Sequence, residues 1–136
     1  MREARPRILI VDDEPVVREL VQTVLEDAGC EAIVRGTGPE AMLAIERDGP
    51  FEALVADLRL PGLDAIGLHR QLAQARHPLA DHMIVMTGDV GDASIDRFVR
   101  KTGNRLLRKP FALHKLTAAV SATLRSPMSR PARAQG

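Results

Sequence analysis

Three acids stand in a row near the start of this chain: Asp12, Asp13 and Glu14. They directly follow a short apolar run. Further along, Asp57, Thr87 and the dipeptide Lys109-Pro110 each close another such run. Taken singly, each has an ordinary explanation. An acidic triplet after a strand is usually a solvated loop, and a lone Asp or Thr there usually caps a turn. Taken together, they describe one chemistry. Three carboxylates in a single cleft repel one another enough to raise a pKa, so keeping them ionised calls for a cation. Oxygen-only ligands with positions left to water suit Mg²⁺ or Mn²⁺. With the carboxylates shielded, an anionic phosphoryl donor can approach Asp57. Lys109 adds a second positive charge on a flexible stem, and the Thr87 hydroxyl can donate to the transferred group. A carboxylate nucleophile of this kind forms an acyl phosphate, and such transfer depends on positioning and charge neutralisation. The four histidines, His69, His77, His82 and His114, are scattered and offer no zinc site.

Convergence of these residues depends on the elements that carry them. Short apolar runs alternate with amphipathic stretches along the whole chain. Arg7–Val11, Glu31–Arg35, 51–56, 83–86 and a short run around Leu106-Leu107 read as strands. Between them lie helical patterns. Pro15 opens one that carries Val17, Leu20, Val21, Val24 and Leu25, and Gly29 stops it. Thr37 and Glu40 have the spacing of a capping box ahead of Ala41, Met42 and Ile45. Asp64 starts a third helix bearing Ile66, His69, Leu72 and Ala73. Residues 94–101 form a fourth with Ile95, Phe98 and Val99 on one side. Leu113, Leu116, Val120 and Leu124 mark the fifth. Five βα units predict a parallel sheet with helices on both faces, because right-handed crossovers put them there. In such a sheet ligands bind outside the carboxyl ends of the strands, which is where the acids, the hydroxyl and the amine all fall.

Composition narrows the remaining choices. A chain of 136 residues suits one domain, and 45% hydrophobic residues allow a full core. The net charge of +1 gives no overall field favouring DNA or an anionic membrane. With no Trp or Tyr and three Phe, a stacking platform for single strands is not expected. Cys30 is the single cysteine and reads as a small packing residue, in keeping with a reducing, cytoplasmic setting. No apolar run is long enough to span a bilayer. The expected layout is a domain over 1–125 and a Pro-, Ser- and Arg-rich disordered tail over 126–136.

The segments ILIVDDEPVVREL, LVADLRLPGLDAIGL, IVMTGD and LLRKPF resemble the receiver domain of bacterial two-component response regulators, of the single-domain, chemotaxis-regulator-like kind. The resemblance runs from Arg7 to about Leu124. It implies a flavodoxin-like (βα)5 sheet in the order 2-1-3-4-5. Asp57 is then the phosphoacceptor. Asp13 and Asp57 are direct Mg²⁺ ligands, Asp12 acts mainly through water, and the Arg59 backbone carbonyl is a further ligand. Thr87 and Lys109 match the residues that sense the phosphoryl group, and the Lys109–Pro110 peptide is expected to be cis. The implied partners are a sensor histidine kinase or histidine phosphotransfer protein and a downstream protein target docking on the fourth helix, fifth strand and fifth helix. Nucleic acid and membrane are not expected as direct partners. A monomer or weak homodimer is expected. Catalysis is expected only of the chain's own phosphorylation and dephosphorylation.

Some positions depart from the family pattern. Leu106 stands where an aromatic switch residue is usual, Gly88 where Ala is common, and Ala65 where Gly is common. Arg59 and Asp89 are expected to pair across the cleft mouth and slow attack by water. Four other readings compete: a degenerate receiver that only binds a partner, the receiver piece of a hybrid kinase, a flavodoxin-like cofactor binder, and an aspartyl-phosphate phosphatase. The complete acid, hydroxyl and amine set argues against the first. The acidic first loop argues against a cofactor phosphate, and Arg59 in place of a second acid argues against the phosphatase.

Overall fold

A computed structural model describes residues 5–88, 91 and 93–127. Five parallel strands, β1 (Arg7–Val11), β2 (Glu31–Arg35), β3 (Ala53–Asp57), β4 (Met83–Thr87) and β5 (Arg105–Arg108), form one sheet in the order β2-β1-β3-β4-β5. The helices are α1 (Pro15–Asp27), α2 (Gly38–Asp48), α3 (Ala65–Gln74), α4 (Ala93–Thr102) and α5 (Leu113–Arg125), with a 3-10 turn at Pro78–Asp81. The expected α/β class and strand order are both present.

Strand alternation sorts the core into two layers. Leu9, Val11, Leu54, Ala56, Met83 and Val85 pack with residues of α2, α3 and α4. Ile8, Ile10, Ala53, Val55, Ile84 and Met86 pack with residues of α1 and α5. Both sheet faces are therefore covered, which is why the strands read as continuous apolar runs. Each fully buried Leu, Ile or Val contributes roughly 1.5–3 kcal/mol.

Helix ends follow local chemistry. Thr37 caps α2, its Oγ1 accepting from the Glu40 N–H at 3.1 Å. Glu40 reaches back one residue beyond the cap and accepts from the Gly36 N–H at 3.2 Å. Asp64 caps α3 through the Gly67 N–H at 2.8 Å. The start of α1 differs, because Glu14 offers no side-chain cap. Asp12 Oδ1 accepts from the Glu14 N–H at 2.9 Å instead, which ties this helix to the acidic loop.

Several expectations shift. The third strand begins at Ala53 and includes Asp57, rather than covering 51–56. Phe51 is buried but lies before the ladder, under the Arg7 guanidinium, 4.8 Å from its ring centroid. The core face of α3 is Ala65, Gly67, Leu68 and Leu72, and Ala73 is exposed. Leu20 and Leu113, read as core positions, are both 45% exposed. Cys30 is buried as expected, and burial raises its thiol pKa. Among the described residues no helix is long and apolar enough to cross a membrane. Ser126 and Pro127 are described, whereas the expected tail from 128 onward lies outside the described residues.

Two histidines fold best without charge. Burial lowers the pKa of His69 from its ordinary 6.5; nearby Asp81 opposes this and Arg70 reinforces it. Burial also lowers His77, whose Nδ1 must stay unprotonated to accept from the Leu79 N–H at 3.1 Å. The unfolded chain therefore takes up these protons at a higher pH than the folded one. Their contribution is complete above pH 6.5 and is lost as pH falls through the folded values. Urea midpoints measured between about pH 5 and 7.5 should rise more steeply with pH in the parent chain than in His69→Gln, because Asp57, whose raised pKa acts in the opposite direction, contributes equally to both. Parallel slopes in the two proteins would contradict this account.

Candidate functional site

Sheet register sets the site. Val11 pairs with Ala56, so the residues that follow, Asp12 and Asp57, stand side by side on neighbouring strands. Asp57 itself pairs with Met86, and Thr87 pairs with Arg108. Lys109 follows Arg108, and its N–H donates to the Thr87 carbonyl at 2.7 Å. Asp12, Asp13, Asp57, Thr87 and Lys109 therefore lie at the carboxyl ends of β1, β3, β4 and β5.

These ends enclose a cleft of about 410 Å³ lined by Asp13, Glu14, Asp57, Leu58, Arg59, Thr87, Gly88 and Lys109. One carboxylate oxygen from each of Asp12, Asp13 and Asp57 lies within 4.8 Å of the others. Asp12 is fully buried, Asp57 partly buried and Asp13 exposed. An oxygen-only set of this size, open to water on the Asp13 side, fits a small hard divalent cation.

Lys109 lies among these acids. Its Nζ is 2.7 Å from Asp57 Oδ1, 3.1 Å from Asp12 Oδ2 and 3.7 Å from Glu14 Oε1. At an effective dielectric near 20, a charge pair at about 3 Å gains roughly 5 kcal/mol. Desolvating each ion costs several kcal/mol, so the cluster comes out near even while holding its geometry. The pKa directions reflect the same contest. Burial raises Asp57; the Lys109 hydrogen bond and charge lower it, Asp12 raises it and the Arg59 N–H lowers it, and the net direction is up. Burial alone would lower Lys109, but hydrogen bonds and charges from Asp57 and Asp12 outweigh it and leave the amine above its ordinary value.

Backbone contacts fix the rest. The Arg59 N–H donates to Asp57 Oδ2 at 3.2 Å. Arg18, not singled out in the sequence, donates from Nη1 to the Asp12 carbonyl at 2.9 Å. Its signal was present: Arg18 lies on the first turns of the helix that begins beside Asp12. Glu14, read only as the third acid of its run, is a partner of Lys109. The loop after Asp57 is clamped against α2. A methyl group on Gly38 would meet the Leu63 carbonyl at 2.0 Å, and the Gly38 N–H donates to the Pro61 carbonyl at 3.3 Å. Gly62 takes φ +81°, where a side chain would also press on Pro39. The Lys109–Pro110 peptide is cis, as expected. Thr87 is buried at the strand end, and Leu106 is half-buried against the α2–α4 layer. Asp89 lies outside the described residues, and so does its expected pairing with Arg59.

Comparison with known proteins agrees with this geometry. A family profile described as the response regulator receiver domain matches residues 8–121. The DNA-binding response regulator MtrA of Mycolicibacterium smegmatis is 31% identical over 133 residues, covering 97% of this chain and 56% of that protein. The chain thus spans little more than half the length of that relative. Among solved structures, the receiver domain of the Francisella response regulator 1452 superposes with a TM-score of 0.81 at 22% identity, covering 89% of this chain and 98% of that one. The chemotaxis response regulator CheY4 of Vibrio cholerae superposes with a TM-score of 0.77 at 21% identity, covering 89% and 100% respectively. At these identities the two structures speak to the fold alone.

Proposed function

The chain belongs to the response regulator receiver domain family, and from that premise we propose that it accepts a phosphoryl group on Asp57 in a Mg²⁺-dependent reaction. The observation that carries the proposal is the meeting of Asp12, Asp13, Asp57 and Lys109 in one cleft, with carboxylate oxygens within 4.8 Å and Lys109 Nζ 2.7 Å from Asp57. The donor is the phosphohistidine of a sensor kinase or a histidine phosphotransfer protein. A downstream protein reads the result.

Each residue has a role its position supports. Asp57 supplies the nucleophilic oxygen: an O–P bond forms as the donor's P–N bond breaks, and its electron pair returns to the imidazole. Asp12, Asp13, Asp57 and the Arg59 carbonyl are the groups that would hold Mg²⁺, with Mn²⁺ as the substitute. When bound, the ion supplies positive charge for phosphoryl oxygens that carboxylates would otherwise repel. Lys109, already directed at Asp57, follows the charge onto the new phosphoryl oxygens. Thr87 donates its hydroxyl to the same group. The Arg59 N–H keeps Asp57 Oδ2 oriented, and Oδ1, which Lys109 holds at 2.7 Å, is the oxygen that reacts as the amine moves to the phosphoryl group. Hydrolysis reverses the arrangement, with water attacking phosphorus and aspartate regained. Apart from this self-modification, the chain acts by binding.

The test is incubation with acetyl phosphate and Mg²⁺, read by intact mass. One phosphoryl adduct is expected, about 80 Da heavier, absent when EDTA is present from the start and mapping to the peptide that contains Asp57. Absence of an adduct in every metal and donor condition would overturn the proposal and leave a partner-binding receiver. Intrinsic tryptophan emission cannot serve as the readout, because the chain has no Trp.

A further inference from the structure

A second concavity lies away from the phosphoacceptor cleft, between α3 and α4. It encloses about 590 Å³ and draws its lining from those two helices alone. Its floor is apolar. Ile66 and Phe98 line it, and the His69 ring meets Phe98 edge-on at 5.0 Å. Its rim is cationic: Arg70, Arg97 and Lys101 all line the groove and are all exposed. Among the described residues no carboxylate lines it, and none of the three cations has an ion-pair partner. Asp81 is within electrostatic reach of His69 but is not part of the lining.

This charge is segregated, not incidental to a basic protein. The groove takes Arg70 from α3 and Arg97 and Lys101 from α4 and no acid from either helix, in a chain whose net charge is only +1. Arg97 and Lys101 are also one helical turn apart, a like-charge spacing that destabilises α4 by a few tenths of a kcal/mol. An apolar floor between unpaired cations is complementary to a ligand that is apolar in the middle and negative at its sides.

We propose that the α3–α4 groove docks an acidic amphipathic helix from a partner protein. Its apolar side chains seat against Ile66 and Phe98, and its carboxylates face Arg70, Arg97 and Lys101. A groove between two helices suits the anchors of a helix at i, i+3 and i+4. Opposite charges at the rim govern encounter and selectivity. A nucleic acid fits less well, because Phe98 lines the groove with only 7% of its surface exposed, an edge that a side chain can touch and too little for a base to stack on. A membrane fits less well too, because the apolar surface is recessed below charged side chains.

The test uses a designed 15-residue peptide with Leu at helical spacing and Glu elsewhere, titrated into the full chain labelled with ¹⁵N. Amide shifts at Ile66, His69, Arg70, Phe98 and Lys101 should move together and saturate. Raising NaCl from about 25 to 300 mM should weaken binding. The double variant Arg97→Glu, Lys101→Glu should weaken it at least about tenfold, with a dispersed spectrum and unchanged phosphorylation of Asp57. A Lys-for-Glu peptide should leave the groove amides unmoved. The proposal is overturned if the Lys peptide binds equally, if shifts concentrate outside α3 and α4, or if none appear. It is also overturned if a short oligonucleotide or phosphatidylserine vesicles move the same amides as strongly. Concentration-dependent shifts of those amides without peptide would assign the groove to a second copy of the chain and would equally overturn it.

Discussion

Asp57→Asn should abolish the acyl-phosphate adduct, a loss of at least about a thousandfold in labelling rate, while making the protein harder to unfold. The first half follows from chemistry. Asparagine keeps the shape and can still accept from Lys109, but its amide oxygen is not an anionic nucleophile. The second half follows from the direction of the Asp57 pKa. Burial raises it, and the Lys109 hydrogen bond, the Lys109 charge and the Arg59 N–H do not fully offset burial and the Asp12 charge. A carboxyl with a raised folded pKa holds its charge at a cost near neutral pH. A neutral isostere removes that cost, and with it one of three crowded carboxylates. Thermal midpoints in EDTA should therefore rank the variant above the parent chain. A lower midpoint would mean that the Lys109 contact outweighs burial. An adduct of undiminished yield would move the acceptor elsewhere. Stability given up for reactivity is common at functional sites.

Lys109→Met carries the next largest effect, with the opposite sign. Asp12 is fully buried, and Lys109 bridges it to Asp57 at 3.1 and 2.7 Å. Removing the amine leaves a fully buried and a partly buried carboxylate facing one another without that counter-charge. Breaking one side of a buried pair costs about 3–5 kcal/mol. Lys109 is also 21% exposed, so water recovers part of this and the lower end is expected. The loss should depend on metal. Mg²⁺ at about ten times its dissociation constant stabilises by roughly 1.4 kcal/mol, and the variant, with no competing amine, should bind it more tightly than the parent. Urea unfolding with and without Mg²⁺ provides the check. Equal stability of variant and parent in EDTA would remove Lys109 from its bridging role.

Much of this was legible in the sequence, for identifiable reasons. Both faces of the sheet are covered, so the strands of 8–11 and 83–86 appear as unbroken apolar runs. Asp12, Asp57, Thr87 and Lys109 sit at run ends, and parallel register converts run ends into neighbours. What was misread has physical causes too. Phe51 is apolar and buried, so it extends the third run by composition, yet the ladder starts where Ile8 meets Ala53. Leu68 is fully buried on α3, but the wide apolar pattern around Ile66 and His69 pointed to a different face. Leu20 and Leu113 fit the helical period and still face outward, because periodicity records spacing and not which neighbours arrive. The bridging of two aspartates by Lys109 needed coordinates. So did the basic rim of the α3–α4 groove, which a net charge of +1 conceals.

The ends of the described chain share a location. The Pro6 carbonyl accepts from the Glu31 N–H at 2.8 Å, at the start of β2, and the Pro127 carbonyl lies 3.4 Å from His82 Nε2, just before β4. Both are at the amino ends of the strands, the side of the sheet opposite Asp57. An affinity handle, surface linker or fluorophore attached at either point therefore leaves from the rear of the molecule. Tethering the protein at Pro6 or at Pro127 should present the reactive pocket to solution in the same orientation, which suits it to immobilised binding assays.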